Sequence, residues 1–370
     1  MSTRRGKTKL FGFFYQRLLF LFLIPALIMA VAIKTMPGGG APSSNTSGDP
    51  QLIAQLTPLL SGARDRVSVA LINPQGVRYA FWGTNPDTQY EIGSITKTFT
   101  AALLADAVER REVTLDTPLG DILELGDSTI GQATLRELAT HHAGLSSISS
   151  RWFDRIKILL AVVGHRDPYP VDRLTLLEQA KADPLSSRGR FSYSNMGFAL
   201  LGDALAERTQ HGYASLVTER LLRPMGLTQT SVPEKATNLP RSPATGYSIG
   251  GFRERPWTMM AYAPAGGMRS TITDMAKYAQ RLLEGTFPGQ TALIPREQTD
   301  EQARIGMAWF ISTFKGRDIT WHNGSTGGFS SMIVLDRQAG EAVVMLSNTA
   351  SPLESTALSL LLSHDTKRTQ

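Results

Sequence analysis

The chain has 370 residues, of which 42% are hydrophobic and 19% are charged, a balance typical of a globular protein with a large buried core. It contains no cysteine, which excludes disulfides, thiolate nucleophiles and cysteine metal sites. The net charge of +6 is concentrated in residues 1–50, which contain six basic side chains and one acidic side chain. The remaining residues carry 32 basic and 31 acidic side chains. That near-neutral remainder shows no basic patch, and we expect no nucleic-acid partner.

The N-terminus has the composition of a targeting segment. Five cations precede an uncharged run at 18–33, and cations on the leading side predict that the chain after the run is exported. Sixteen apolar residues with Pro25 among them are short for a spanning helix, and Ala30-Val31-Ala32 offers a signal-peptidase site. A retained anchor, which we favour, and a cleaved signal therefore both stay open. We interpret 1–34 as a cytoplasmic tail with this signal or anchor, and 35–48 as a flexible linker.

The remaining chain alternates between strand and helix signals. Asp49-Pro50 indicates a helix start, and leucines at helical spacing follow it. Residues 110–260 carry mostly helical and loop signals. We therefore predict an α/β fold in which 49–110 and 261–365 form an α/β part and 111–260 an inserted, mostly helical part. The strands are predicted at 67–72, 77–82, 319–321, 331–335 and 342–346, and further helices at 94–109 and 353–362.

The tetrad Ser94-Ile95-Thr96-Lys97 opens the predicted helix at 94–109. Residues three apart lie on one helix face, so the Lys97 amine can reach the Ser94 hydroxyl, as nucleophilic catalysis requires. In the first turn, free backbone N–H groups favour developing negative charge. A capping serine followed by a solvated lysine would give the same pattern. A second copy at 312–315 falls in a strand-like run, where serine and lysine would point to opposite faces.

Two further polar groups follow in order. Tyr193 and Asn195, two apart in an extended or loop segment, point the same way and could place a phenol and an amide beside one carbonyl. His322-Asn323-Gly324-Ser325 follows a strand-like run, and Gly324 would let a substrate approach the strand backbone. A capped loop at the first site and a hydrogen-bonded strand histidine at the second are the structural alternatives. The pair His141-His142 ends a helical segment, so we interpret it as structural and expect no metal site.

The tetrad at 94–97, the Tyr193–Asn195 segment and the segment at 322–325, in this order, resemble the motifs of the serine β-lactamase and penicillin-binding-protein superfamily. Within that superfamily the chain is similar to the class C-type branch of β-lactamase-related serine hydrolases, which includes D,D-carboxypeptidases, D-aminopeptidases and esterases. The resemblance covers about residues 51–363. Four segments carry it besides the motifs already named: 91–97 (EIGSITK), 134–145 (TLRELATHHAGL), 222–227 (LRPMGL) and 264–271 (PAGGMRST).

This resemblance implies a β-lactamase/transpeptidase-like fold, with an antiparallel sheet flanked by helices and the active site in the cleft beside the inserted helical domain. It implies that Ser94 forms an acyl-enzyme with an ester or amide carbonyl, with either Lys97 or Tyr193 as the base. Asn195 would hold the substrate carbonyl or the Lys97 ammonium. The backbone N–H groups of Ser94 and Ser325 would form the oxyanion hole. The resemblance implies no cofactor.

His322 stands where β-lactamases of this branch usually carry lysine. A lysine there offers a fixed positive charge to a substrate carboxylate, whereas a histidine is mostly neutral at pH 7 and donates one hydrogen bond. This departure favours D-amino-acid peptides or esters over penicillin as substrates.

We therefore expect a D,D-carboxypeptidase or D-amino-acid peptidase acting on small cell-wall-like peptides, with peptidoglycan as a candidate partner. The expected location is the cell membrane, held through the N-terminal segment with the catalytic domain exported, or the periplasm or medium if the segment is cleaved. One alternative is a carboxylesterase or β-lactamase-like amide hydrolase. The other is a non-catalytic module that binds penicillin or peptidoglycan.

Overall fold

The computed structural model describes residues 40–363, except 61, 63, 64, 234, 240–243 and 300–302. The predicted targeting segment at 1–34 and the first part of the predicted linker therefore lie outside the described residues. Within 40–363, apart from those gaps, no helix combines the length and apolar character needed to cross a bilayer.

Strands lie mainly at the two ends of the described chain, and helices occupy most of the stretch between them. The α-helices are α1 (Pro50–Leu56), α2 (Thr96–Glu109), α3 (Leu135–Ala139), α4 (Trp152–Val163), α5 (Arg173–Lys181), α6 (Asn195–Thr209), α7 (Tyr213–Val217), α8 (Ala263–Gly266), α9 (Ile272–Leu283) and α10 (Glu354–Ser363). The strands are β1 (Thr46–Gly48), β2 (Val67–Asn73), β3 (Gly76–Trp82), β4 (Tyr90–Glu91), β5 (Gly246–Tyr247), β6 (Arg253–Glu254), β7 (Arg269–Ser270), β8 (Glu297–Gln298), β9 (Ala303–Ile305), β10 (Phe310–Phe314), β11 (Arg317–Ser325), β12 (Ser330–Asp336) and β13 (Glu341–Ser347).

A nine-stranded antiparallel sheet forms the centre, in the order β1-β3-β2-β13-β12-β11-β10-β9-β8. The predicted N-terminal hairpin is confirmed, since β2 and β3 pair and Asn73 lies opposite Gly76 at their turn. The last strand returns beside the first half of the chain, with Ala342 opposite Ile72. An antiparallel sheet flanked by helices confirms the predicted fold class. The division into the two parts 49–110 with 261–365 and 111–260 stays a prediction.

Both faces of the sheet are covered, which explains why its central strands are apolar at nearly every position. Along β2, Val69 and Leu71 belong to the core on one face, whereas Ala70 and Ile72 belong to the core on the other. The first face packs against α1 and α10, and the second against α9. Alternating side chains of a strand point to opposite faces, so covering both faces removes the usual alternation of apolar and polar residues.

Helix α2 lies at the centre of the second layer. The predicted helix at 94–109 is confirmed, although its first residues form a 3₁₀ turn (Gly93–Ile95). The structure buries every side chain from Thr96 to Ala107. The helix packs against α6 and α8 as well as the neighbouring 3₁₀ turns, so its polar side chains also face protein. Lys97 is therefore removed from solvent by its position in the fold.

Candidate active site

A buried ion pair holds the backbone that leads to Ser94. Strands β4 and β7 pair, placing Glu91 opposite Arg269, and the Arg269 Nη2 atom lies 2.5 Å from Glu91 Oε1. Glu91 also accepts a hydrogen bond from the Trp257 backbone N–H at 3.0 Å. Burial raises the pKa of Glu91, and the Arg269 guanidinium opposes that shift. Removing either partner would leave an uncompensated buried charge. The pair therefore fixes the start of the 3₁₀ turn Gly93–Ile95, which carries Ser94 and is called the nucleophile turn below.

The nucleophile turn packs directly against the end of β11. Gly93 has a φ of +49°, and a Cβ there would lie 2.7 Å from the Ser325 backbone nitrogen. Glycine is thus required both by the left-handed backbone and by the close approach. The contact brings the backbones of Ser94 and Ser325 side by side, which is the arrangement that the predicted oxyanion hole needs. Their role in binding an oxyanion stays a prediction.

Gly324 has a different use from the one the sequence suggested. The space that a Cβ would occupy there is filled by the backbone carbonyl of Ile92, to which Ser331 Oγ donates a hydrogen bond at 2.8 Å. The approach of the Ile92 carbonyl therefore accounts for the glycine, and contact between Gly324 and a substrate stays a prediction.

Lys97 contacts three oxygen atoms. Its Nζ lies 3.0 Å from Ser94 Oγ, 2.7 Å from Asn195 Oδ1 and 2.7 Å from the Ala265 carbonyl oxygen. Burial of the fully enclosed side chain lowers the pKa of Lys97 well below its ordinary value. A neutral amine has two N–H groups and one lone pair, and the amide and carbonyl oxygens can only accept. Both N–H groups are then engaged, and the lone pair is left to face Ser94.

Asn195 is oriented by contacts at both ends of its amide. Its Nδ2 donates to the Tyr169 hydroxyl at 2.9 Å, so its Oδ1 faces Lys97. It is the first residue of α6, and the preceding Ser194 caps the helix by accepting from the Gly197 N–H. Of the two predicted roles for Asn195, holding the Lys97 amine is the one these contacts support. Tyr169 was missed by the sequence analysis, because an isolated tyrosine carries no motif.

The phenol of Tyr193 completes the cluster. Lys97 Nζ lies 4.8 Å from the centroid of the Tyr193 ring. Burial raises the pKa of Tyr193 far above its usual range, and a hydrogen bond with the Ser94 hydroxyl opposes only part of that shift. At neutral pH the phenol therefore keeps its proton, whereas the Lys97 amine is the group whose pKa moves toward the basic form.

His322 is enclosed within β11 and fully buried. Its Nδ1 lies 2.6 Å from the Asn323 carbonyl oxygen, so this nitrogen carries the proton. The other ring nitrogen, Nε2, finds no hydrogen-bond partner among the described residues. Burial lowers the pKa of His322 to about 3, and the neighbouring Lys97 contributes to the shift. The ring is thus uncharged at pH 7, as its departure from lysine led us to expect.

The two adjacent histidines have separate surroundings. His142 Nδ1 lies 2.7 Å from the Thr140 carbonyl oxygen, a local contact at the end of α3 that fits the predicted structural role. His141 instead adopts a φ of +62° and packs its ring against Tyr193, with 4.4 Å between centroids. Its Nδ1 accepts from the Ser194 N–H, and burial lowers its pKa well below the ordinary value. The structural interpretation of His141 is therefore incomplete, because its ring also packs against Tyr193, a residue of the candidate site.

The second serine-lysine copy takes no part in the cluster. Ser312 lies on β10 and accepts a hydrogen bond from Trp321 Nε1 at 3.1 Å, whereas Lys315 lies in the turn after that strand. The expected strand is confirmed for Ser312, whereas Lys315 lies beyond its end, so the predicted pointing to opposite faces of one strand does not apply to this pair.

A serine hydroxyl beside a buried amine and a protonated phenol defines a serine hydrolase of the Ser-x-x-Lys type. The chain belongs to the Beta-lactamase family, whose model matches residues 51–365.

Known proteins of this kind are similar over most of the described chain. An unguisins hydrolase from Aspergillus campestris is 25% identical over 293 residues, which cover 71% of this chain and 53% of that protein. A D-aminopeptidase from Brucella ovis is 24% identical over 252 residues, which cover 66% and 46%. The chain thus spans about half the length of these curated relatives. A class C β-lactamase from Rhodobacter sphaeroides superimposes with a TM-score of 0.69 at 24% identity, covering 81% of this chain and 94% of that one, and shows the shared fold.

Proposed function

We propose that this protein is an exported hydrolase that forms an acyl-enzyme on Ser94 and cleaves small amide substrates containing a D-amino acid. This class includes the cell-wall-like peptides that a D,D-carboxypeptidase or a D-amino-acid peptidase would cleave. The observation that carries the proposal is the position of Lys97 Nζ, 3.0 Å from Ser94 Oγ and 2.7 Å from each of two oxygens that can only accept. The similarity to a D-aminopeptidase supports the substrate class.

In the acylation step, Ser94 Oγ bonds to the substrate carbonyl carbon while its proton passes to Lys97 Nζ. The carbonyl oxygen becomes an oxyanion beside the Ser94 and Ser325 N–H groups, and donors of this kind are typically worth about 10²–10³ in rate. When the carbon–nitrogen bond breaks, the leaving amine takes a proton from the Tyr193 phenol, which recovers one from the Lys97 ammonium. Water then attacks the ester carbonyl and gives a proton to the Lys97 amine. The amine returns this proton to Ser94 Oγ as the carbon–oxygen bond breaks, which releases the acid and restores the enzyme.

Selection within the substrate class follows from His322. Because this ring is buried and uncharged, it offers no positive charge to a substrate carboxylate. Binding therefore gains little from a free C-terminus at this point, and amidated or blocked peptides should be accepted as well as free acids. This favours a D-aminopeptidase-like or amidase specificity over a strict D,D-carboxypeptidase within the proposed class.

The proposed specificity is tested with matched peptides that differ in one property at a time. D-Ala-D-Ala, its C-terminal amide and the corresponding L-Ala-L-Ala pair are incubated with the full chain, and released alanine is quantified. Cleavage of both D peptides with little cleavage of the L pair supports the proposal. An absolute requirement for the free carboxylate overturns the argument from His322, and equal cleavage of D and L peptides overturns the substrate class.

A carboxylesterase is the second candidate function, because an uncharged site accepts neutral esters as readily as amides. The carboxylesterase function would be favoured if short-chain aryl esters were hydrolysed far faster than any D-amino-acid amide. This ester hydrolysis should be lost in Ser94→Ala. A purely binding module needs no base, so the depressed pKa of Lys97 beside Ser94 weighs against that alternative.

Export rests on the cation-led apolar run at 18–33. We propose a single-pass anchor with residues 49–365 outside the cytoplasm. Protease treatment of intact spheroplasts should degrade the catalytic domain, and N-terminal sequencing of the mature protein should find residue 1 or 2. A start near residue 33 would instead establish a cleaved signal and a periplasmic or secreted enzyme.

A further inference from the structure

Helix α4 carries its large apolar side chains on the side facing solvent. Counted from Trp152, five of these residues stand at i, i+4, i+7, i+8 and i+11 on one face of the helix, and Phe153 at i+1 extends that face. A surface helix normally turns such a face toward the core, so this orientation is the reverse of the usual one. Six side chains form the face, each between 44% and 68% exposed: Trp152, Phe153, Ile156, Leu159, Leu160 and Val163.

The opposite side of α4 is attached to the domain through polar contacts. Asp154 Oδ2 accepts from Ser149 Oγ at 2.7 Å and from Gln179 Nε2 at 3.1 Å. Ile158 and Ala161 lie on the same side and are partly buried. The acid of this helix is therefore turned inward, away from the exposed apolar face.

Cations border the apolar face on both sides. At about 100° per residue, Arg155 falls at one edge of the apolar stripe and Lys157 at the other. Arg151 precedes the helix and Arg166 follows it, and all four side chains are exposed. Since its acid points inward, α4 itself presents cations and no carboxylate beside the apolar face, and the complement of that face is an apolar layer lined with anions.

We propose that α4 is an interfacial helix that inserts this apolar face into the surface of an anionic phospholipid bilayer. Helices of this composition are buried about 5–10 Å into the boundary between headgroups and acyl chains. The rings of Trp152 and Phe153 lie against each other at the helix N-terminus, tilted by 30° with 3.5 Å between centroids, and large aromatic residues favour this interface. A second copy fits less well, because two-fold packing of α4 would bring the same cationic borders together without anions between them.

The proposed contact would bring the bilayer close to the catalytic cluster. Lys157 and Ile158 of α4 line a cavity of about 280 Å³ together with Tyr169 and Tyr262. Tyr169 is the residue whose hydroxyl accepts from the Asn195 amide. When α4 lies in the bilayer surface, it would form one wall of this cavity, and only Tyr169 would separate the cavity from Asn195, which orients Lys97. The enzyme would therefore act on substrates presented at the membrane surface.

The test uses the full chain, because its lack of cysteine allows a single label. Leu160→Cys carries an environment-sensitive nitrobenzoxadiazole dye on the apolar face of α4. The matched control is Ile294→Cys, an exposed aliphatic position on a different element. Both proteins are reconstituted into vesicles of phosphatidylcholine with or without phosphatidylglycerol. Because both are the full chain, any attachment through the N-terminal segment is the same in the labelled protein and its control.

The proposal predicts a blue-shifted emission and quenching by brominated lipid at residue 160 but not at residue 294. Phosphatidylglycerol should enlarge the shift, and the double variant Arg151→Glu, Arg155→Glu should reduce it while hydrolysis of a soluble substrate is retained. Equal spectra at the two positions would overturn the proposal. A shift that follows the protein-to-lipid ratio and ignores anionic lipid would assign the face to a second copy, which also overturns it.

Discussion

Asn195 Oδ1 lies 2.7 Å from Lys97 Nζ, and this contact decides where the lysine lone pair points. The amide is itself fixed by Tyr169, so its oxygen cannot turn away without losing a second hydrogen bond. An uncharged acceptor orients the amine and favours its protonated form far less than a carboxylate would. Asparagine at this position is thus compatible with the low Lys97 pKa that a base requires.

Asn195→Asp should raise the pKa of Lys97, because a carboxylate favours the ammonium form. The acidic limb of the profile of kcat/KM against pH would move to higher pH, and the rate below that limb would fall roughly tenfold for each pKa unit. Asn195→Ala is the control, since it removes the orienting oxygen without adding charge. An unmoved limb in Asn195→Asp would exclude Lys97 as the titrating base.

Tyr193→Phe should slow the hydrolysis of different substrates to different extents, depending on their leaving groups. An amine must be protonated as it leaves, whereas a phenolate does not need a proton, so the variant should lose about 10²–10⁴ in amide hydrolysis. Acylation by an aryl ester should change far less. Burst-phase kinetics with both substrates measures the two steps. Equal losses for ester and amide acylation would mean that Tyr193 acts on Ser94 itself and that Lys97 is not the sole base.

His322→Lys should change which substrates are preferred. A cation on β11 would attract a free carboxylate, so the ratio of kcat/KM for D-Ala-D-Ala to that for its amide should rise by about tenfold, the effect of roughly 1.4 kcal/mol. His322→Gln is the neutral control and should leave the ratio near its original value. Thermal unfolding of both variants checks that the fold is kept. The same ratio in both variants would show that residue 322 does not contact the substrate carboxylate.

Buried histidines should make the protein sensitive to mild acid. The folded-state pKa of His322 is about 3 and that of His141 is also lowered, whereas an unfolded histidine titrates near about 6.5. Between these values the unfolded chain binds more protons, so this stabilisation is complete above the unfolded pKa and declines as the pH falls toward the folded pKa. Each histidine contributes a slope of about 1 kcal/mol per pH unit. Urea unfolding should show a shallower pH dependence in His322→Gln, and an unchanged slope would contradict the shift.

Local patterns were sufficient to predict the nucleophile, because a helix places residues 94 and 97 together whatever surrounds it. The strands around 67–82 and 330–347 were equally clear, since their apolar runs and turns are local. His141 and Tyr169 could not be found in this way. Their roles arise from contacts with Ser194 and Asn195, which lie 53 and 26 residues further along the chain.

Other features of the structure depend on which elements pack against each other in the fold. The spacing of apolar residues in α4 predicts a stripe, but only the structure shows that the stripe faces outward. Gly324 was expected to be a place of close approach, and the group that approaches it in the structure is the Ile92 carbonyl. A sequence pattern thus indicated the geometry at these positions, and the fold determined the partner.

The central claim is that Ser94, and not the second serine-lysine copy, becomes acylated. Intact-mass spectrometry of the full chain should be performed after brief exposure to a D-Ala-D-Ala thioester, an aryl ester and a penicillin, beside Ser94→Ala and Ser312→Ala. We predict an acyl adduct with at least one donor that persists in Ser312→Ala and is absent in Ser94→Ala. An adduct retained in Ser94→Ala, or neither adduct nor product from any donor, would contradict the account.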